Sequence, residues 1–159
     1  MEVRGAETHK GGEIERLYRQ EGSRLWLSLM AFSGDREISS DAAAEAFAQA
    51  LRRGDALRDP AAWVWRVAFK VASAELKSRR DLSHTVPDMA DPDERRAFEL
   101  IAVLRRLPTN QRAAVVLHYY ADLPVAEVAS LIGVSTATAK VHLHRGRKRL
   151  RELLEDNDD

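Results

Sequence analysis

Apolar residues recur along this chain at intervals of three and four, and no segment alternates strictly, so the pattern predicts helices throughout and no strand. The sharpest pattern runs from Leu123 to Leu153. Val125, Val128, Ala129 and Ile132 fall at i, i+3, i+4 and i+7, one apolar stripe on a short helix. Pro124 suits the first turn of that helix, where a missing N–H is harmless. Gly133 follows the last apolar residue, where a left-handed backbone closes a helix cheaply, and Ser135 offers a hydroxyl to the free N–H groups of the next helix. In that second helix Ala139, Leu143, Gly146, Leu150 and Leu153 alternate steps of four and three and so face the first. Lys140, Val141, His144, Arg145, Lys148 and Arg151 then point away. Between Ser135 and Arg151 the charged residues are Lys140, Arg145, Arg147, Lys148, Arg149 and Arg151, with no acid among them, which matches a helix laid in the major groove between phosphates. A solvated basic face is the competing reading. Cap, turn glycine, apolar seam and outward basic stripe agree with the DNA-binding helix-turn-helix instead.

Upstream, residues 1–12 lack periodicity and carry three glycines, so they read as a flexible leader. Ile14, Leu17, Tyr18, Leu25, Leu29 and Phe32 predict a long helix that ends at Ser33-Gly34-Asp35, with a weak point at Gly22. Ser40 can cap a second helix, with Ala44, Phe47, Ala48 and Leu51 as its apolar stripe and Asp41 and Glu45 on another part of its surface. Asp59-Pro60 is a strong helix start, a cap and then proline at the first position, and the helix should run to about Arg80. Val64, Val67, Ala68, Val71 and Ala74 supply its buried stripe; Trp63, Arg66, Lys70 and Lys77 follow another line, and Trp65 and Phe69 a third. Aromatics interleaved with cations suit a single-stranded nucleic acid, whose bases stack on rings while its phosphates meet charge. Packing in the core is the alternative for both tryptophans, weighed more heavily for Trp63 than for Trp65.

From 81 to 94 the periodicity is lost; prolines enter, and Asp81, Asp88, Asp91, Asp93 and Glu94 occur with no Lys or Arg, which predicts an extended acidic linker. Such a stretch can reach about 50 Å, so the two halves need not touch. Beyond it Phe98, Ile101, Val103, Leu104 and Leu107 predict a helix that stops before Pro108; Thr109 can cap another, with Ala113, Val116, Leu117 and Tyr120 on one side. These should form the platform for the helix-turn-helix. The expected organisation is all-α: a leader (1–12), a helical domain (13–80), an acidic linker (81–94), a second helical domain containing the helix-turn-helix (95–155), and an acidic tail (156–159).

Composition adds limits. Lys and Arg balance Asp and Glu at 25 each, which argues against a protein that coats nucleic acid indiscriminately, but the charges are segregated along the chain. No apolar run approaches the roughly 20 residues of a membrane span, and the first dozen residues show no secretory signal. The absence of cysteine excludes disulfides and thiolate metal sites and suits a reducing cytoplasm. His142 and His144 are two apart on a helix and diverge, so neither they nor the scattered His9, His84 and His118 suggest a metal. There is no phosphate loop, dinucleotide fingerprint, HExxH or GxSxG; no cofactor is expected, and a hydrolase built on Asp41 and Glu45 lacks a partner base.

The stretch LRRLPTNQRAAVVLHYYADLPVAEVASLIGVSTATAKVHLHRGRKRLREL (104–153) resembles the promoter-reading region 4 of the bacterial extracytoplasmic-function RNA polymerase sigma factors, and DPAAWVWRVA (59–68) resembles that family's region 2 signature. The likeness covers about Ile14 to Leu154. It implies a protein that is not an enzyme, works in the cytoplasm, binds core RNA polymerase, reads the minus-35 promoter element as duplex and captures the melted minus-10 strand. Many relatives are held inactive by an anti-sigma protein, so the resemblance implies that kind of partner as well. Carried over by position, it puts minus-35 contacts on Thr138, Lys140, Val141, His144, Arg145 and Lys148. Minus-10 contacts fall on Trp63, Trp65, Arg66, Lys70 and Lys77, and a polymerase clamp contact on Asp41, Glu45 and Gln49. Lys70 stands where the family commonly has asparagine, and Val141-His142 replaces a frequent Ser-Arg pair, which bears on base preference. The rival reading is a helix-turn-helix regulator that binds operator DNA without joining a polymerase, for which the aromatic and basic faces of the Pro60 helix would have no use.

Overall fold

The computed structural model describes residues 3–79 and 91–158, with side chains from residue 11 onward. Among the described residues seven α-helices follow one another: α1 Val3–Ser33, α2 Arg36–Arg53, α3 Pro60–Ser78, α4 Pro92–Leu104, α5 Thr109–Val115, α6 Val125–Ile132 and α7 Thr136–Asn157. A 3-10 turn at Gly54–Ala56 follows α2, and α5 runs on as a π-helical turn over Val116–Tyr120. No strand occurs among the described residues, so the chain is all-α as expected. Of the acidic stretch, 81–90 lies outside the described residues. Its last four residues start α4: Asp91 caps the helix, accepting from the N–H of Asp93 at 2.9 Å, and Pro92, Asp93 and Glu94 form its first turn.

Helix α1 begins at Val3, inside the segment expected to be a leader, because neither proline nor a capping signal interrupts the chain before Ser33. It ends where Gly34 turns left-handed (φ 68). Asp35, not Ser40, caps α2, accepting from the N–H of Ile38 at 3.0 Å. Ser40 lies inside the helix and receives the indole N–H of Trp26 at 3.0 Å. The cap moves upstream because an aspartate directly after a helix-closing glycine meets the free N–H groups first. The face of α2 rotates with it: Ile38, Ala42, Ala46, Phe47 and Ala50 are buried, while Ala44 and Leu51, expected inside, are exposed. Helix α3 behaves similarly, burying Val64, Trp65, Ala68, Phe69 and Ala72 and leaving Ala74 exposed.

Helices α1, α2 and α3 pack mutually as one layer, and α5, α6 and α7 as another, with α4 laid against α1 and α7. The layers share a single core that runs from Ile14 to Leu153. The halves therefore touch, although the reach of the linker did not require it. The joint centres on Arg112 of α5, whose guanidinium lies 5.2 Å from the ring of Phe32 in α1 and donates to the carbonyl oxygens of Arg105 and Leu107 at 3.0 and 3.5 Å. The Arg105 carbonyl caps the end of α4, so the cation meets the negative end of that helix. Burial, and then the charge of Arg105, pushes the Arg112 guanidinium down to about 10, still charged at neutral pH.

Candidate nucleic-acid interface

Helices α6 and α7 meet across Gly133, whose φ of 74 and ψ of 36 lie in the left-handed region that glycine enters without strain. The N–H of Val134 donates back to Ala129 O at 3.0 Å, and Ser135 Oγ accepts from the N–H of Thr138 at 3.1 Å. Both local signals thus fall where the sequence put them. Thr109 is different: it is the first residue of α5, and the preceding Pro108 offers no side-chain cap.

Along α7, Ala139, Gly146 and Leu153 are buried, and Leu143 and Leu150 pack against the core from its edge. Gly146 sits at the crossing with α5. A Cβ there would stand 2.9 Å from Val115 Cγ2 and 3.1 Å from Gln111 O, so only glycine lets the two helices come this close. That crossing fixes the rotation of α7 and so decides which side chains leave the protein. Thr138, Lys140, Val141, His144, Arg145 and Lys148 are all exposed, as is Arg151. Thr138 is partly engaged, since Ser135 Oγ donates to its hydroxyl at 2.9 Å.

The basic residues of α7 divide into two groups. Arg147 donates to Tyr119 Oη at 2.8 Å, and Arg149 pairs with Glu152 at 3.5 Å. Lys140, Arg145, Lys148 and Arg151 form no ion pair among the described residues, and these four belong to the outward stripe. A row of unpaired cations on one helix face, with the paired ones turned aside, is what phosphate and base edges require. The Arg147–Tyr119 bond was not legible in the sequence. It ties α7 to the π-helical turn, which pushes Tyr119 and Tyr120 outward to about half exposure. Beside it His118 Nδ1 lies 2.9 Å from Leu123 O. A carbonyl only accepts, so that nitrogen carries the proton.

On α3 the expected strand-capturing residues separate. Trp65 is 4% exposed, its ring parallel to Phe69 at 6.1 Å with Arg24 5.6 Å above it. It is a core residue, because the buried face of α3 is turned one position from the expected stripe. Trp63 is half-buried beneath the guanidinium of Arg53 at 5.4 Å, an edge position that keeps part of its ring accessible. The ranking of the two rings is thus reversed. Arg66, Lys70 and Lys77 are exposed on one line, although Arg66 donates to Ser130 Oγ of α6 at 3.4 Å. On α2, Asp41 and Glu45 are exposed and Gln49 half-buried; Glu45 accepts from Gln49 Nε2 at 2.6 Å and pairs with Arg52 at 3.4 Å. No cluster of His, Asp and Glu able to hold a metal occurs among the described residues.

Comparison with known proteins agrees with this architecture. The family profile described as "Sigma-70, region 4" matches residues 97–150, which hold α5, α6 and most of α7. The extracytoplasmic-function (ECF) RNA polymerase sigma factor SigL of Mycobacterium tuberculosis is 29% identical over 170 aligned positions, covering 97% of this chain and 96% of that protein. The chain is thus similar to ECF sigma factors along nearly its whole length. Solved structures show the same fold for it. The sigma factor RpoE of Bartonella quintana, solved with the anti-sigma factor NepR, superposes with a TM-score of 0.77 at 17% identity, covering 90% of this chain and 97% of that chain. CnrH, solved with the cytosolic domain of CnrY, gives a TM-score of 0.76 at 18% identity over 96% and 94% of the two chains. Among the described residues, no helix of this chain is long and apolar enough to cross a membrane.

Proposed function

We propose that this chain is an ECF sigma factor that binds core RNA polymerase, reads the minus-35 element with the outer face of α7, and holds the melted minus-10 strand on α3. The unpaired, outward row of Lys140, Arg145 and Lys148 on a helix held in place by the α5 crossing carries this reading. Thr138, Val141 and His144 complete the reading face: Arg145 can meet guanine with two parallel hydrogen bonds, and Val141 can contact a thymine methyl. Trp63, Arg66, Lys70 and Lys77 form the strand-capturing line, with Trp65 now assigned to packing. Asp41, Glu45 and Gln49 form one accessible line of α2 and constitute the clamp contact. In functional terms residues 13–80 serve the polymerase and the minus-10 element, and 95–155 the minus-35 element. The protein does no chemistry of its own; it works in the cytoplasm, with core polymerase, promoter DNA and an anti-sigma protein as its partners.

Reconstitution tests the proposal. Purified chain added to core polymerase should yield run-off transcripts from start sites that core alone ignores, and the two should co-elute on gel filtration. If the chain binds duplex DNA but never associates with core at low or moderate salt, it is an operator-binding regulator instead.

A further inference from the structure

Where the end of α3 meets the start of α5 lies a cleft of about 150 Å³, lined by Ser73, Lys77, Arg79, Arg105, Thr109 and Arg112. Cations from three helix ends and from α5 thus share one small space, where like charges repel. They are not equally compensated. Arg79 turns to Asp35, Glu37 and Glu75, whose carboxylates stand 3.8, 3.4 and 3.8 Å from its guanidinium. No carboxylate lines the cleft itself, and Lys77, Arg105 and Arg112 form no ion pair among the described residues.

Arg112 is the most confined of these. It is 5% exposed, its Nη1 donates to the carbonyl oxygens of Arg105 and Leu107, and its Nε is buried without an acceptor. Its Nη2 makes no hydrogen bond among the described residues either. A buried N–H that lacks an acceptor is costly, the more so on a cation. Burial and the charge of Arg105, which push this guanidinium down to about 10, are both penalties that a bound anion would offset. The Phe32 ring and the end of α4 account for Arg112 lying here, but not for Lys77 and Arg105 being gathered beside it.

We propose that this cleft is a binding site for a diphosphate group, held by Lys77, Arg105 and Arg112. Its volume matches roughly five water molecules at about 30 Å³ each, too little for a nucleoside or a run of polynucleotide but a size that two linked phosphates fill. Two linked phosphates carry about three negative charges near neutral pH, one for each uncompensated cation. Planar guanidinium groups match phosphate oxygens two at a time, and Nε and Nη2 of Arg112 are the edge left free for that. A single carboxylate would leave two of the three cations unanswered. Lys77 also belongs to the strand-capturing line of α3, so a bound diphosphate group and the captured strand would compete for it. That consequence, unlike the site, rests on the function proposed above.

Calorimetry and melting of the full chain, free of polymerase, test the site. Inorganic diphosphate should bind once per chain and raise the melting temperature, and sodium chloride at matched ionic strength should not. Inorganic phosphate, with fewer contacts, should bind about tenfold more weakly. Arg105→Gln should weaken diphosphate binding about tenfold or more, and Arg105→Lys less. Thr109→Asp, which sets a carboxylate in the cleft wall, should weaken it more than Thr109→Asn does. Arg145→Ala, on the outer face of α7, should bind diphosphate as the parent does. Adenosine diphosphate is the second probe: tighter binding than inorganic diphosphate makes the ligand a nucleotide, weaker binding makes it the free ion. Equal losses in Arg105→Gln and Arg145→Ala, several ions bound per chain, or an effect that sodium chloride reproduces overturns the inference, because each makes the anion a counterion of the basic surface. Should Arg105→Gln lose its helical signal, the comparison of Thr109→Asp with Thr109→Asn decides. None of these readouts involves polymerase or promoter, so a failure here leaves the proposed function standing, and a failed reconstitution leaves the site to be decided by binding.

Discussion

Gly146→Ala should destabilise the protein even though alanine is the better helix former. In an α-helix interior the exchange gains about 1 kcal/mol. Here the added methyl would stand 2.9 Å from Val115 Cγ2, 3.1 Å from Gln111 O and 3.3 Å from Gln111 Cβ. Val115 is buried and β-branched, and the second obstacle is backbone, so neither can swing aside cheaply. Overpacking of that kind costs about 1–3 kcal/mol, and two rigid obstacles put it in the upper part of the range, for a net loss of about 1–2 kcal/mol. In a chain of this size that lowers the melting temperature by roughly 2–8 °C. A Val115→Ala background, where the nearest methyl is gone, gives a sharper test. There Gly146→Ala should fall to within about 0.5 kcal/mol of neutral, leaving a coupling of about 1–2 kcal/mol between the sites. Urea denaturation of the four proteins, followed by helical circular dichroism, measures both quantities. A Gly146→Ala protein more stable than its parent, or strictly additive effects, would refute the close crossing and with it the rotation assigned to α7.

Ser135→Ala removes the hydroxyl that accepts from the N–H of Thr138 at 3.1 Å, and should cost about 1 kcal/mol in the same denaturation experiment. Gly133→Ala meets no atom within 4 Å, so its cost is conformational alone, about 1–2 kcal/mol, and should persist in the Val115→Ala background where that of Gly146→Ala does not. The two tryptophans should part company: Trp65→Ala should lower stability by about 3–5 kcal/mol, whereas Trp63→Ala should leave the melting curve nearly unchanged and reduce permanganate reactivity of the opened promoter strand.

What the sequence disclosed well was local. Pro124, Gly133 and Ser135 are signals whose meaning is set within a turn of chain, and the alternating steps from Ala139 to Leu153 mark one inward face of α7, which α5 as well as α6 covers, so the outward stripe of α7 came out residue by residue. Where helices are rich in alanine the signal weakens. In α2, Ala42, Ala46 and Ala50 are buried and Ala43, Ala44 and Ala48 are not, and with identical side chains on adjacent faces only the position of the neighbouring helices decides. The same ambiguity in α3 hid Trp65: Val67 and Val71 look as suitable for the core as Trp65 and Phe69, and the larger rings win because Phe32 and Arg24 are there to receive them. Least legible was the joint between the halves. Arg112 sits in a run of polar residues that gives no sign of burial, and its partners, Phe32 and the carbonyls of Arg105 and Leu107, are assembled only by the fold.

Whether the outer face of α7 reads promoter sequence is tested directly by one comparison. Holoenzyme reconstituted with the parent chain, Arg145→Ala or Arg151→Ala would be presented with a randomised minus-35 library at several salt concentrations. Arg145→Ala should weaken its preferred sequences by about 1–3 kcal/mol and relax the preference at a single position. Arg151→Ala should weaken all sequences alike and reduce the salt slope by about one unit. If Arg145→Ala leaves affinity and preference intact in a chain that keeps its helical signal, the basic stripe of α7 is solvated surface and the reading of this face as the minus-35 contact is wrong.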